Sequence, residues 1–289
     1  MQRPSEINGG GLPAEAMRVT TMSFREAEHA GWTARARSYD ACFAAITNQA
    51  IPHVLAAFGN LADRALLDVC CGPGHLAAAA MAAGAHAEGI DFAPTMVALA
   101  QGNYPAIPFR EGDAEHLPLP DGSFDAVACV FGVMHMTHPD LAVAEAFRVL
   151  RHGGVFAFTQ WAAEDELLNI VADAISKHGN PGVNMPLAPP LMRFSNPDEC
   201  RRTLLAHGFS EVSTTRIELE WHGDQPEAVL DLIRGGAVRA AMLIEAQAPR
   251  DRERVHAAIL DAVKLRHTPN GGYLVRRPAV LTRGRRPAV

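Results

Sequence analysis

The chain has 289 residues, of which 48% are hydrophobic and 20% charged. That leaves room for one large α/β domain with an elaboration, or for two small domains, and rules out disorder along the whole length. Its 24 glycines and 20 prolines are too few for a collagen-like or linker-dominated architecture. Lys plus Arg number 26 against 32 Asp plus Glu, a formal charge of -6, which argues against non-specific nucleic-acid binding because counterion release needs positive surface.

The first 22 residues are polar and glycine-bearing and read as a flexible leader, with no apolar core that could serve as a signal peptide. Apolar residues then recur at helical spacing from Phe24 to Phe58 (Trp32, Tyr39, Phe43, Ile46, Ile51, Val54, Leu55). This predicts two helices divided before Pro52, within an N-terminal helical segment over 23–60. From 61 to 163 short apolar runs alternate with helical stretches, the pattern of a parallel sheet built from strand–helix–strand units. The predicted strands are 65–69, 86–90, 107–110, 125–130 and 155–160, and the helices between them 76–83, 94–101 and 141–151. Gly153 and Gly154 are read as the end of the last helix. Beyond Trp161 the pattern predicts helices over 166–177, 198–207, 227–234, 237–246 and 252–266 and strands over 211–221 and 273–282. The proline-rich stretch 180–190 reads as a lid-like loop. Residues 164–289 are thus a lid or substrate-binding insertion plus completion of the sheet. Arg276, Arg277, Arg283, Arg285 and Arg286 read as a solvated edge. The longest apolar run, 76–85, is about half of what a membrane span needs, and the five cysteines, odd in number and without a CxxC pair, point to reduced thiols and no metal site. The expectation is a soluble cytoplasmic protein with a small-molecule substrate and no nucleic-acid or membrane partner, homodimer formation being left open.

The chemistry concentrates at the predicted strand ends. Leu66 to Leu76 is a buried strand running into a glycine turn and then a helix; Gly72 and Gly74 let the backbone bend and a ligand come close. Asp68 stands four residues before Gly72. A carboxylate there suits the ammonium and sulfonium of S-adenosylmethionine better than a dinucleotide's pyrophosphate. Asp91, ending the second strand, can accept two hydrogen bonds from ribose hydroxyls, although it can also cap the next helix. Asp113, after the third strand, can accept from an adenine amino group, with the Ala114 N–H reaching a ring nitrogen and Phe92 or Met96 covering the base. Three acidic residues at three successive strand ends therefore converge on one crevice.

The segments LLDVCCGPGHLA (66–77), GIDFAPTMVALA (89–100), EGDAEHLPLPDGSFDAVACVFGVMHM (111–136) and EAFRVLRHGGVFAFTQW (145–161) resemble the class I S-adenosylmethionine-dependent methyltransferases, in particular the group that includes the ubiquinone/menaquinone biosynthesis methyltransferases. A weaker likeness extends to WTARARSYDACF (32–43). The resemblance implies a Rossmann-like, seven-stranded, mostly parallel sheet with helices on both faces and an antiparallel last strand. It implies that Asp68, Gly72 and Gly74 line the amino-acid end of the cofactor, that Asp91 holds the ribose, and that Asp113 and Ala114 hold the adenine. Phe131 resembles a position that backs the cofactor near its reactive centre, and Tyr39 an N-terminal tyrosine that closes over the pocket. Cys70-Cys71, where the family more often has a single cysteine, and His152, where it has proline, depart from the pattern.

Methyl transfer needs orientation more than it needs a base. His135, at the mouth of the cleft, is the most tempting base but reads better as a helix-start or packing residue, so the catalytic residues stay unassigned. The insertion has few aromatics, chiefly Phe194 and Trp221, and many aliphatic residues, which suggests a small, largely apolar acceptor. An NAD-dependent oxidoreductase and a non-catalytic S-adenosylmethionine-binding protein remain the alternatives. A DNA amino-methyltransferase is disfavoured because Val130-Phe131-Gly132-Val133 stands where an Asp/Asn-Pro-Pro-aromatic run belongs.

Overall fold

The structure, a computed structural model, describes residues 22–288; nearly all of the expected leader lies outside them. The first helix, α1 (Phe24–Ser38), opens with a reciprocal cap between Ser23 and Glu26. It runs on without a break through a π turn (Tyr39–Phe43), a short α2 (Ala44–Thr47) and a 3-10 turn (Asn48–Ala50) into α3 (Ile51–Phe58). Pro52 does not divide two helices. It sits in the first turn of α3, where its missing N–H costs nothing, and the irregularity falls instead at the π turn that carries Tyr39. By length and composition the continuous run Phe24–Phe58 is apolar enough to cross a membrane. Here Phe43, Ile46, Ala50 and Val54 are buried in the core beside the sheet.

The core alternates as expected: β1 (Ala65–Val69), α4 (His75–Ala82), β2 (His86–Asp91), α5 (Pro94–Asn103), β3 (Phe109–Glu111), β4 (Phe124–Val130), α6 (Pro139–Val149) and β5 (Leu150–Trp161). Then follow α7 (Glu166–His178), α8 (Pro197–Ala206), β6 (Ser210–Ile217), β7 (Glu220–Gly223), α9 (Ala228–Gly236), α10 (Val238–Glu245), α11 (Pro249–Lys264), β8 (Tyr273–Arg276) and β9 (Ala279–Arg285). Seven strands form one sheet in the order β3-β2-β1-β4-β5-β9-β6. The first five are parallel, and β9 is antiparallel to both β5 and β6, as the resemblance implies. Side chains alternate across the sheet. Leu66, Ala126, Ala128 and Ala157 face one cluster with α4 and α5, while Leu67, Val127, Phe156 and Phe158 face the other with α6 and α8.

Three further sequence expectations need correction. The Gly153-Gly154 pair does not end a helix: α6 stops at Val149, Leu150 is already extended, and the glycines form a bulge inside β5. Two residues of β4, Phe124 and Ala126, pair with Leu150 and Val155, and Gly153 takes φ +80°, a conformation glycine adopts without strain. The single strands expected over 211–221 and 273–282 each split in two. Their outer halves, β7 and β8, pair with each other in a separate two-stranded sheet. Pro278, which cannot donate to a ladder, marks the break on one side. The arginine tail is not a solvated edge as a whole, because Arg277 is only 1% exposed.

The strand order reverses at β1, which pairs with both β2 and β4, so a crevice opens beyond the ends of these strands. Above it, α1 packs on α5, and the π turn and α1 pack against α9 and α10. The N-terminal helix and the insertion therefore roof the same crevice.

Leu67, fully buried in β1, lies in the cluster under α6. Leu67→Ala is expected to lower unfolding free energy by about 3 kcal/mol in urea titrations with an unchanged m-value, whereas Leu187→Ala, at a residue 97% exposed, should change it by less than about 0.5 kcal/mol.

Candidate functional site

Each side of the crevice is built from a strained strand end. Cys70, just after β1, and Phe131, just after β4, take φ +57° and +55° although neither is glycine. Such conformations persist only where the surroundings over-determine them, and they cluster at ligand sites. Phe131 is held by its N–H donating to Thr159 Oγ1 (2.9 Å), and its ring stacks on Trp161 with centroids 4.0 Å apart. The hydrogen bond with Cys129, and then burial, push the Cys70 thiol up, and burial pushes the Cys71 thiol up, which disfavours the nucleophilic thiolate at both.

The turn between β1 and α4 is closed by Asp91. One carboxylate oxygen accepts from the Gly72 N–H and the other from the Ala93 N–H, both at 2.9 Å. Gly74 begins α4 at φ +87°, and a Cβ there would stand 2.6 Å from the Phe109 ring. Glycine is required by both its conformation and its neighbour.

A cavity of about 530 Å³ fills the crevice, within the range of small-molecule sites. Of the sequence-predicted residues, Tyr39, Gly72, Asp91, Phe92, Met96 and Phe131 line it, as does His135. Asp68, Gly74, Asp113 and Ala114 do not. Asp68 is 2% exposed and accepts from the Ala77 N–H of α4 at 3.2 Å. Burial raises it to about 8 against the pull of that hydrogen bond, with Asp91 adding to the rise. Asp113 lies beyond the outer strand β3 and is engaged by Arg25 (2.9 Å) and by the Glu115 N–H. Burial works against its charge, but those two donors hold it below the usual carboxylate range. The three carboxylates therefore do not share one crevice wall; only Asp91 is on it. Tyr39 donates to or accepts from Thr47 Oγ1 at 2.9 Å, and its ring stacks on Phe43.

The rest of the wall was not assigned to the site from the sequence, which read Trp32 and Phe43 only as helix-periodic residues, Arg277 as surface and the 180–190 stretch as a lid-like loop. Glu28 and Trp32 of α1, Phe43, Trp161, Arg239 of α10, Arg277, and Met185, Pro186 and Ala188 of the 180–190 stretch all face the cavity. Glu28 is 1% exposed, and its Oε2 accepts from Trp32 Nε1 (3.0 Å) and pairs with His135 Nδ1 (2.8 Å). The i, i+4 spacing of Glu28 and Trp32 was a readable signal that both share one helix face. Nothing local in sequence connects Glu28 to His135, 107 positions away.

The residues present fit S-adenosylmethionine. Asp91 is a desolvated carboxylate on the cavity wall with one N–H on each oxygen, so acceptor capacity remains for two ribose hydroxyls. Phe92 and Met96 supply apolar cover beside it. Burial raises Asp91 from the ordinary 3.8 to about 6, against the Ala93 and Gly72 N–H groups and His135, which lower it. The folded chain thus keeps this proton to a higher pH than the unfolded chain, and Asp91 costs stability as pH rises from 3.8 to about 6. Hydroxyl donors favour the carboxylate, so S-adenosylmethionine affinity should rise between pH 5 and pH 7 in calorimetric titrations. Asp91→Asn should weaken binding by at least about tenfold and flatten that rise; Asp113→Ala should weaken it less.

Comparison with known proteins agrees with this arrangement. The family described as methyltransferase domain matches residues 67–158. The ubiquinone/menaquinone biosynthesis C-methyltransferase UbiE of Bartonella henselae is 33% identical over 168 residues, covering 51% of this chain and 65% of that protein. The demethylmenaquinone methyltransferase of Thermus thermophilus is 32% identical over 187 residues, covering 57% of this chain and 84% of that protein. Among solved structures, the YcgJ protein of Bacillus subtilis superposes with a TM-score of 0.55 at 21% identity, covering 84% of this chain and 100% of that one, a likeness of fold. Similarity across most of the Thermus relative joins the reversed strand order and the Asp91-closed glycine turn in one conclusion: this chain belongs to the class I S-adenosylmethionine-dependent methyltransferases.

Proposed function

We propose that the chain methylates a small, largely apolar metabolite, with carbon of an electron-rich ring as the acceptor atom. The observation that carries this reading is the single continuous cavity. It joins Gly72, Asp91 and Phe131 at the strand ends to an apolar wall of Leu168, Val171, Met185, Leu191, Met192 and Leu243 from the insertion. The names of the two relatives support the ring, since one is a C-methyltransferase of quinone biosynthesis and the other acts on demethylmenaquinone. A cytoplasmic setting fits the five free thiols.

S-adenosylmethionine, held by Asp91 and Gly72, would supply an electrophilic methyl group with the neutral thioether as its leaving group. The protein's task is alignment, and effective molarities of ~10⁵ M or more are available from orientation alone. Asp91, Gly72 and Phe131 line the cavity together, Phe131 being fixed by Thr159 and Trp161, so they restrict how its contents move. A carbon nucleophile also needs to lose a proton. His135 lies on the wall with Nδ1 held by Glu28, which leaves Nε2 as the nitrogen that takes it. Glu28 orients the ring through its contact with Nδ1, so Glu28 acts through His135 as a positioning residue.

The reading is tested by following S-adenosylhomocysteine formation with hydroxylated naphthalenes and hydroquinones against charged acceptors such as amino acids. Turnover confined to the charged set, or with none, overturns it. His135→Ala should lower kcat by about 100-fold with S-adenosylmethionine affinity changed by less than about twofold. Glu28→Gln should lower kcat by about tenfold with KM for the acceptor unchanged, a split that a purely structural role would not give.

A further inference from the structure

Among the described residues, two side chains on the cavity wall carry a buried polar atom without a partner: Glu28 through Oε1 and Arg277 through Nη1. The first belongs to the dyad described above. The second stands apart from it. Arg277 lies between β8 and β9, with its backbone N–H donating to Leu219 O at 2.7 Å. Its side chain is 1% exposed, and Nε donates to Asp165 Oδ2 at 2.9 Å, Asp165 being 0% exposed. The guanidinium lies 4.0 Å over the Trp161 ring and 5.2 Å over Phe43, both cavity residues. A guanidinium has five donors and no acceptor, and leaving one unsatisfied in a desolvated place is costly. Asp165 already balances the charge, so what Nη1 lacks is a hydrogen-bond acceptor rather than a full counter-charge.

We propose that Arg277 is an oxygen-binding subsite: Nη1 takes a carbonyl, phenolate or carboxylate oxygen of an otherwise apolar acceptor molecule. Naming that molecule as the methyl acceptor rests on the proposed function, whereas the subsite itself does not. The subsite makes the acceptor an oxygenated ring compound rather than a plain hydrocarbon or an amine. An amine brings donors only when protonated, and would meet a guanidinium that offers donors only.

The test is calorimetric binding to the full chain saturated with S-adenosylhomocysteine, using benzoate and acetophenone against α-methylstyrene, the hydrocarbon of the same shape. Both oxygenated probes are expected to bind about tenfold or more tightly than the hydrocarbon, as a hydrogen bond to a charged donor warrants. In the double variant R277M/D165N, which removes both charges together and keeps an amide oxygen to cap α7, the preference should fall below about threefold. Equal binding of all three probes to the unmodified chain overturns the proposal without recourse to any variant, as does a preference that survives in the double variant. R277K, which keeps a donor, should retain part of the preference. Oxygen preference without turnover of any acceptor leaves the subsite standing and overturns the proposed function.

Discussion

The Asp91 carboxylate ties the end of β2 to the turn after β1, and the geometry of the crevice depends on that tie. Its two oxygens gather N–H groups from two different segments, Gly72 and Ala93, at the point where the strand order reverses. A buried carboxylate with so few donors is raised in pKa, and it is more easily satisfied when a ligand brings further donors. The crevice is thus held in shape by a group with acceptor capacity to spare.

The same balance recurs around the cavity. Cys70 and Phe131 hold left-handed backbone at the two strand ends, Glu28 leaves one oxygen unpartnered, and Arg277 leaves one nitrogen so. Each costs stability of order 1–3 kcal/mol, and each is surrounded by well-packed structure: the two faces of the sheet bury Leu66, Leu67, Val127, Phe156 and Phe158 almost completely. Rigid packing lets the polar groups stay under-satisfied until something fills the space between them. Polar groups at separate places on an otherwise apolar wall then restrict how a ligand can lie in the cavity.

The fold was largely legible because its signals are local. Period-two burial, glycine turns and helix caps are written within a few residues, so the parallel strands and their helices emerged with small boundary errors. The Gly153-Gly154 pair misled because a glycine with positive φ serves a helix end and a strand bulge equally well; the pairing of Phe124 with Leu150 decided between them. Arg277 misled in the opposite sense. Among neighbouring arginines it read as surface, yet Asp165, 112 positions earlier, lets it be buried.

By itself the sequence determined the alternation of strands and helices, the glycine turn, the acidic strand ends and, through four motifs, the kind of cofactor, since each depends on residues close together in the chain. Only the tertiary structure decided which carboxylate reaches the cavity, that Glu28 stands behind His135, and that Arg277 is buried on the same wall with one donor unpartnered. Those facts turn on side chains brought together by packing across more than a hundred residues, and on which of them lose their water when the sheet, the N-terminal helix and the insertion close around one crevice.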